Sequence, residues 1–419
     1  MRTLLIAYYF PPLGMGGTQR LAKWCKYLKR LGATPTVITV KPIAYYARDE
    51  SLLSDVAGIN VIRTESLDPG RVLFHLQKKN ASATQAKRRS WMSWFFVPDS
   101  RILWLPFALR SSILFLRRDK HTAVITSGPP HSSHFIGWIL KKFLGIIWLA
   151  DFRDSWSGGD FQPEPTRLHR RINLALQRFV LQRADVLTAI SPRLADELTT
   201  QRDLKGLNLN VIPNGYDPDD FSTPVAVDKS FTVVFCGAIT NITDPQTLIG
   251  GFRVFIEMSQ CAPGETRLRF VGADLTGKVG RQVRENNLTE YVDLPAYVSH
   301  AEAILAMRRA AVLVYIAAPE TSEVYIGGKT YEYLAARRPV LCIGKPVDGM
   351  KALQNHAPAR TCSFHEIDGI ARALLAFYTE FKDGKISVVS AAIPAEFSRS
   401  FQAGQLLELI GQAKTIKRQ

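Results

Sequence analysis

The chain reads as two α/β units in series, each with a parallel sheet wound by helices. Three observations lead there. Short β-rich runs alternate with amphipathic helical runs in both halves, as stacked βαβ units do. A turn-rich stretch, Ile212-Pro-Asn-Gly-Tyr-Asp-Pro-Asp-Asp-Phe-Ser-Thr-Pro, separates the halves. The length of 419 residues exceeds what one ordinary core organises.

In the first half the strand candidates are Thr3–Tyr9, Thr36–Val40, Ala123–Thr126, Ile146–Ala150, Val186–Ala189 and Asn210–Ile212. Between the first two, Leu21, Trp24, Cys25, Leu28 and Leu31 fall on one helical face. Arg20, Lys23, Lys26, Lys29 and Arg30 fill the rest, either as a solvated back or as a membrane-facing surface. The second half restarts at Phe231-Thr-Val-Val-Phe-Cys-Gly, with strands at Leu268–Val271, Val292–Leu294, Ala311–Ile316 and Val340–Ile343. The expected units are therefore 1–222 and 223–396. A final helix within 397–419 is expected to pack back on the first unit.

Composition narrows the class. Apolar residues make up 46% and charged residues 21%, as in a water-soluble globular protein. The five cysteines are scattered without metal-ligand spacing and read as reduced structural residues. The first residues, Met1-Arg-Thr-Leu-Leu-Ile-Ala-Tyr-Tyr-Phe-Pro-Pro, lack the long apolar run and cleavage site of a signal peptide. The expected location is thus cytoplasmic. The net charge of +16 is uneven: residues 1–220 hold 31 Lys and Arg against 18 Asp and Glu, and residues 221–419 hold 22 against 19. The basic surface belongs to the first half and fits an anionic partner. A basic run, Lys78 to Ser90, precedes the aromatic stretch Trp91-Met-Ser-Trp-Phe-Phe, with Trp104 and Phe107 beyond it. Rings with basic flanks suit a membrane interface; the other reading is a buried insertion. Nucleic acid is not expected, because the aromatics cluster with aliphatic residues and not within the basic run.

The chemistry concentrates at a few points. Gly327 and Gly328 lead into a helical segment, Lys329 to Arg337. A helix opened by glycines presents unpaired N–H groups and a positive dipole end to phosphate. Lys329 adds a charge there, Thr330 lies in the same turn, and Glu332 projects from the same face as a hydroxyl acceptor. Gly237 closes the first strand of the second unit, where a donor would approach. In the first unit, Gly14, Gly16 and Gly17 fill the first strand-to-helix turn without dinucleotide-fingerprint spacing. His131 follows the strand Ala123–Thr126 in Ser127-Gly-Pro-Pro-His, at the edge where open α/β sheets handle ligands; His134 follows one turn later. Asp151 and Arg153, in Asp-Phe-Arg-Asp-Ser-Trp, read as a cleft loop facing substrate, and no carboxylate pair stands out as a metal site.

In order along the chain these segments resemble the family-4 retaining glycosyltransferases of GT-B fold. The resemblance rests on Gly14–Gly17, Ser-Gly-Pro-Pro-His-Ser, Asp-Phe-Arg-Asp-Ser-Trp, Val-Ile-Pro-Asn-Gly-Tyr-Asp, Phe270-Val-Gly, Val298-Ser-His-Ala-Glu-Ala and Gly328-Lys-Thr-Tyr-Glu-Tyr-Leu-Ala-Ala. It implies two facing Rossmann-like domains, the first for acceptor and the second for nucleotide sugar. It further implies that Glu332 binds the nucleotide ribose, that Gly16 and Gly17 face donor phosphate, and that His131 sits near the transferred sugar. Two positions depart from the pattern. Val324 stands where a sugar-contacting glutamate is common, and Gly237-Ala-Ile-Thr-Asn offers no Arg and Lys after the first strand of the second unit.

The expectation is a glycosyltransferase, peripheral on the inner face of the cell membrane. It would move a sugar from a nucleoside diphosphate sugar to a lipid-linked or glycan acceptor in surface-polysaccharide synthesis, with no metal or other cofactor. Lys329 and His131 would stabilise charge at the reacting centre. A nucleotide-sugar 2-epimerase and a non-catalytic basic membrane-binding module are the alternatives.

Overall fold

The computed structural model describes residues 1–14, 16–43, 47–76, 94–119, 121–157, 164–200, 204, 206–241, 243–294, 297–317, 327–345, 348–386 and 392–417. The basic run Lys78 to Ser90, Trp91, and Glu320, Glu323 and Val324 lie outside the described residues.

The chain divides into two compact units, Met1–Pro213 with Arg399–Gln419, and Asn214–Ser398. The division falls at Pro213 and not near residue 222, because the turn-rich stretch from Asn214 onward packs with the second unit. There Tyr216 N–H donates to the Phe397 carbonyl at 2.9 Å.

In the first unit the strands are β1 (Arg2–Ile6), β2 (Thr34–Val40), β3 (Asn60–Thr64), β4 (Ala123–Gly128), β5 (Ile147–Phe152), β6 (Val186–Ala189) and β7 (Leu209–Val211). All pair in parallel, in the order β3-β2-β1-β4-β5-β6-β7. The helices are α1 (Gly16–Arg30), α2 (Pro69–Leu76), α3 (Leu105–Arg118), α4 (Ser133–Leu144), α5 (Arg167–Leu181) and α6 (Pro192–Thr199). The order reverses between β1 and β4, so the loops after these two strands flank a switch point, where such sheets bind ligands.

The second unit holds β8 (Phe231–Cys236), β9 (Thr266–Val271), β10 (Val292–Asp293), β11 (Val312–Ile316), β12 (Val340–Ile343) and β13 (Ala359–Cys362), in the parallel order β10-β9-β8-β11-β12-β13. Its helices are α7 (Gln246–Ser259), α8 (Val279–Glu285), α9 (His300–Arg309), α10 (Gly328–Ala336), α11 (Asp348–His356) and α12 (Ile367–Lys382). The switch point here lies between β8 and β11. The last helix, α13 (Arg399–Ile416), returns to the first unit, where Ala403, Leu406 and Ile410 join Leu21, Trp24, Cys25 and Leu28 in one core.

The sequence misses β3 and β13, and for one reason. Both are sheet-edge strands, mostly half-exposed and carrying polar residues (Asn60, Arg63, Thr64; Arg360, Thr361), so neither has the apolar run of a central strand.

The basic side of α1 is neither a solvated back nor a membrane surface over its first half. Arg20 and Lys23 are buried, and Lys23 and Lys26 both reach Asp55, at 2.8 and 3.2 Å. The aromatic stretch divides. Trp104 is buried, donating to Thr64 Oγ1 at 2.7 Å, whereas Trp94 and Phe95 stand exposed.

Candidate functional site

At the carboxyl edge of the first sheet, Asp151 ends β5 fully buried. Arg20 of α1 grips it with two bonds, Nε to Oδ2 at 3.1 Å and Nη2 to Oδ1 at 2.8 Å. Ser127 Oγ and Thr188 Oγ1 donate to it at 2.7 and 2.9 Å. Burial alone would raise its pKa, but the Arg20 guanidinium and the donated hydrogen bonds hold it below the usual carboxylate range. With all four bonds made inside the fold, Asp151 does not face substrate; it is the anchor for Arg20. Arg20 spends its remaining donors on the Pro213 and Ile212 carbonyls, at 2.7 and 2.8 Å, and its guanidinium lies 4.1 Å over the Trp24 ring.

Arg153 does not face substrate either. Its guanidinium donates to the carbonyls of Gly17, Gly128 and Pro129. It therefore fastens the first glycine turn to the loop after β4, the two loops that flank the switch point. Gly17 is thereby placed beside Arg153, while Gly16 meets nothing within 4 Å of a Cβ built on it among the described residues.

His131 is buried, with its ring stacked on Trp156 at 4.6 Å and 17°. Its Nε2 lies 3.3 Å from the Ser155 carbonyl, which sets that nitrogen as the donor. Burial pushes its pKa down to about 3, so the ring is a neutral imidazole. His134 is also held neutral by burial, and its Nδ1 lies 2.9 Å from Thr126 Oγ1. His131 Nδ1 and His134 Nε2 have no hydrogen-bond partner among the described residues, and both point at Gly128: a Cβ there would come within 2.6 and 2.7 Å of them. A ring kept neutral can take part at a reacting centre through a hydrogen bond and not as a cation.

In the second unit the expected donor residues divide differently. Gly327 caps α10 with extended backbone and no side-chain cap. Neither Gly327 nor Gly328 has a positive φ, and a Cβ on either would meet nothing within 4 Å among the described residues. Among the described residues packing does not demand glycine at these positions, and a side chain here would stand in the way of a group approaching the helix end. Lys329 is exposed at the next position, and its Nζ would lie 3.2 Å from a Cβ at Gly237. So Gly237 and Lys329 do come together. Gly237 is fixed in turn by Gly272, whose φ is +139° and where a Cβ would stand 2.1 Å from the Gly237 carbonyl oxygen.

Glu332 is buried at the second turn of α10. His300, the first residue of α9, brings Nε2 to 3.0 Å from Glu332 Oε1 and Nδ1 to 3.9 Å from Asp220 Oδ2. His300 is a site residue to which the sequence assigned no role. Its signal was there, since it stands in Val-Ser-His immediately after the Ser299 cap. Thr330 departs from expectation. Its side chain turns inward toward Gly349 of α11, is 1% exposed, and does not join the open helix end. The rotation of α10 is set by Tyr333, whose hydroxyl accepts from Cys236 N–H at 2.9 Å and donates to the Val314 carbonyl at 3.0 Å. A groove of about 700 Å³ also opens at the amino ends of β8 and β9. It lies at the edge opposite α10, and its Arg267 and Arg269 are already paired with Asp293 at 2.9 and 3.2 Å.

Residues 15–215 match the model of the glycosyl transferase 4-like domain. Over that stretch the chain is similar to glycosyltransferases, and its two-sheet architecture is the GT-B fold. Solved structures bear out the fold over its full length. Sucrose-phosphate synthase from Thermosynechococcus elongatus is similar at 15% identity and a TM-score of 0.59, covering 100% of this chain and 98% of its own. TarM is similar at 9% identity and a TM-score of 0.61, covering 98% of each chain. The UDP-GlcNAc 2-epimerase from Neisseria meningitidis, bound to UDP-GlcNAc, shares the architecture at 11% identity and a TM-score of 0.56, over 98% of this chain and 100% of its own. No curated protein matches the sequence significantly. Among the described residues the exposed helix start lies at Gly327, Gly328 and Lys329, Glu332 and His300 are paired with each other, and Asp151, Arg153 and Arg20 are buried supports.

Proposed function

We propose that the chain is a glycosyltransferase that takes its sugar from a nucleoside diphosphate sugar and delivers it, with retention, to a lipid-linked or glycan acceptor in cell-surface polysaccharide assembly. The observation that carries the donor half is the uncapped start of α10 with Lys329 beside it. The N–H groups of Gly328 and Lys329 would bind the diphosphate, and the Lys329 ammonium would stabilise the charge it gains as the bond from the anomeric carbon to the phosphate oxygen breaks. Glu332 would accept from the ribose hydroxyls, with His300 orienting its carboxylate. The reading needs no metal, since Lys329 and the helix end supply the positive charge. Retention places the new bond to the acceptor oxygen on the face the diphosphate leaves, with the acceptor proton passing to the departing diphosphate. The UDP-GlcNAc bound by the Neisseria epimerase of the same fold supports a nucleotide-sugar ligand.

The excess of basic residues in the first 220 supports an acceptor at an anionic membrane surface, and no helix among the described residues is long and apolar enough to cross a membrane. A thermal-shift screen against UDP-, GDP- and other nucleotide sugars tests the donor half, because a ligand bound at 100 times its Kd adds about 2.7 kcal/mol of stability. Stabilisation by one nucleotide class, lost in Lys329→Met, is the expected result. No stabilisation by any nucleotide sugar would overturn the reading. Turnover of the selected nucleotide sugar without acceptor would assign the chain to the epimerase reaction instead.

A further inference from the structure

One face of the first unit is built from helices that carry basic and no acidic residues, of which Lys141 is paired with Asp185 at 2.7 Å. Parallel crossovers are right-handed, so α3, α4 and α5, which follow β3, β4 and β5 toward the same sheet edge, lie on one face. α3 packs on α4, and α4 on α5. These helices carry three, two and four Lys or Arg and no Asp or Glu. The next helix on that layer, α6, brings Asp196 and Glu197 and ends the acid-free surface. α1, on the other face, has its Lys23 and Lys26 held by Asp55.

At the amino end of α5 this charge meets exposed apolar side chains. Leu168 and Ile172 are 63% and 40% exposed, and Trp94 and Phe95 are 53% and 72% exposed. The two groups belong to one patch. His169 Nε2 lies 3.2 Å from the Trp94 carbonyl, and the two rings are 5.8 Å apart. Arg167, Arg170 and Arg171 are exposed around it. A groove of about 450 Å³ continues along the helix, lined by Arg171, Leu174, Arg178, Phe179 and Arg183.

We infer that this patch is the surface by which the chain docks on an anionic phospholipid bilayer. Trp94, Phe95, Leu168 and Ile172 enter the interface while Arg167, Arg170 and Arg171 hold lipid phosphates. Guanidinium groups level with headgroups and rings at acyl depth is the arrangement that interfacial helices use. A nucleic acid would use the charge but would leave Leu168 and Ile172 exposed. The inference rests on the membrane part of the proposed function and locates it on named residues.

The test is flotation of the full chain with phosphatidylcholine vesicles, with and without 30% phosphatidylglycerol (about that proportion suffices for a negative surface). The wild type is expected on anionic vesicles only. Arg167→Gln/Arg170→Gln/Arg171→Gln should weaken partitioning on the order of a hundredfold. Trp94→Ser/Phe95→Ser should weaken it about tenfold. The triple Arg→Lys variant should keep most binding, and Arg281→Gln/Arg284→Gln in the second unit should change nothing. Thermal melts with the selected nucleotide sugar check that each variant is folded. Wild-type flotation by both patch variants would overturn this surface while leaving the proposed function standing. No flotation of the wild type would overturn both the surface and the membrane location. Loss of poly(U) binding in the Gln variant with unchanged flotation would turn the patch into a nucleic-acid site.

Discussion

The loop cluster around Asp151 in the first unit and the start of α10 in the other unit are alike as sequence: glycines, a basic residue and a carboxylate within a few positions of one another. Their structures are opposites. Asp151 accepts from Arg20, Ser127 and Thr188 inside the fold, and Arg153 donates to three carbonyls. At α10 the helix end has no side-chain cap, and Lys329 is exposed. The lesson is that a charged motif at a sheet edge supports the fold when its partners come from the same unit, and stays available to a ligand when it is left exposed.

The comparison breaks most sharply at Arg20. Arg20→Ala leaves Asp151 charged and buried without its partner, a loss of about 3–5 kcal/mol in denaturant unfolding. A variant with unchanged stability would remove the supporting role. The reverse holds for Lys329→Met. Its melting temperature should stay within a degree or two of wild type, while donor turnover falls about 10²–10³-fold, as when one charge-stabilising group is removed. Tyr333→Phe tests the fixture between them. Losing a buried hydroxyl that bridges Cys236 N–H and the Val314 carbonyl should cost about 1–3 kcal/mol, read by the same unfolding assay.

The neutral histidine pair gives a pH signature confined to the first unit. Burial depresses the folded pKa of His131 to about 3, below its ordinary value near 6.5, and lowers that of His134 too. The unfolded chain therefore binds more protons below pH 6.5. Stability is full above that pH and falls as pH drops toward 3, by about 1.4 kcal/mol per unit for His131, with His134 adding in the same direction. In His134→Gln the slope just below pH 6.5 should become shallower; an unchanged slope would show that the fold does not hold His134 neutral. The smallest effect is expected at Gly328. Alanine there should stabilise the helix by up to about 1 kcal/mol, since no φ or contact requires glycine. It should at the same time weaken nucleotide-sugar binding, read by calorimetry, and equal or better binding would deny a ligand at this helix end.

Much of this was legible in the sequence. The alternation of strands and helices and the helix opening at Gly328 follow from local patterns, whereas the approach of Lys329 to Gly237 does not. What was not legible depends on distant partners. Arg20 looked like part of a solvated helix back because Asp151 lies 131 residues away. His300 was silent because Glu332 is 32 residues further on. Asp151 and Arg153 looked like substrate ligands because position at a strand end does not reveal how many donors and acceptors the fold itself will claim. Thr330 was misplaced for a smaller reason: a single helix turn holds both the open edge and the packed one, and it lies on the packed side.

Gly272 has no chemistry to offer, and yet it controls a residue that does. Its backbone conformation and its contact with the Gly237 carbonyl both exclude a side chain. Any substitution must displace Gly237 and so tilt the floor beneath Lys329. In a saturation-mutagenesis map read only by activity, position 272 would score like a member of the active site, and a reader of that map would search there in vain for a functional group.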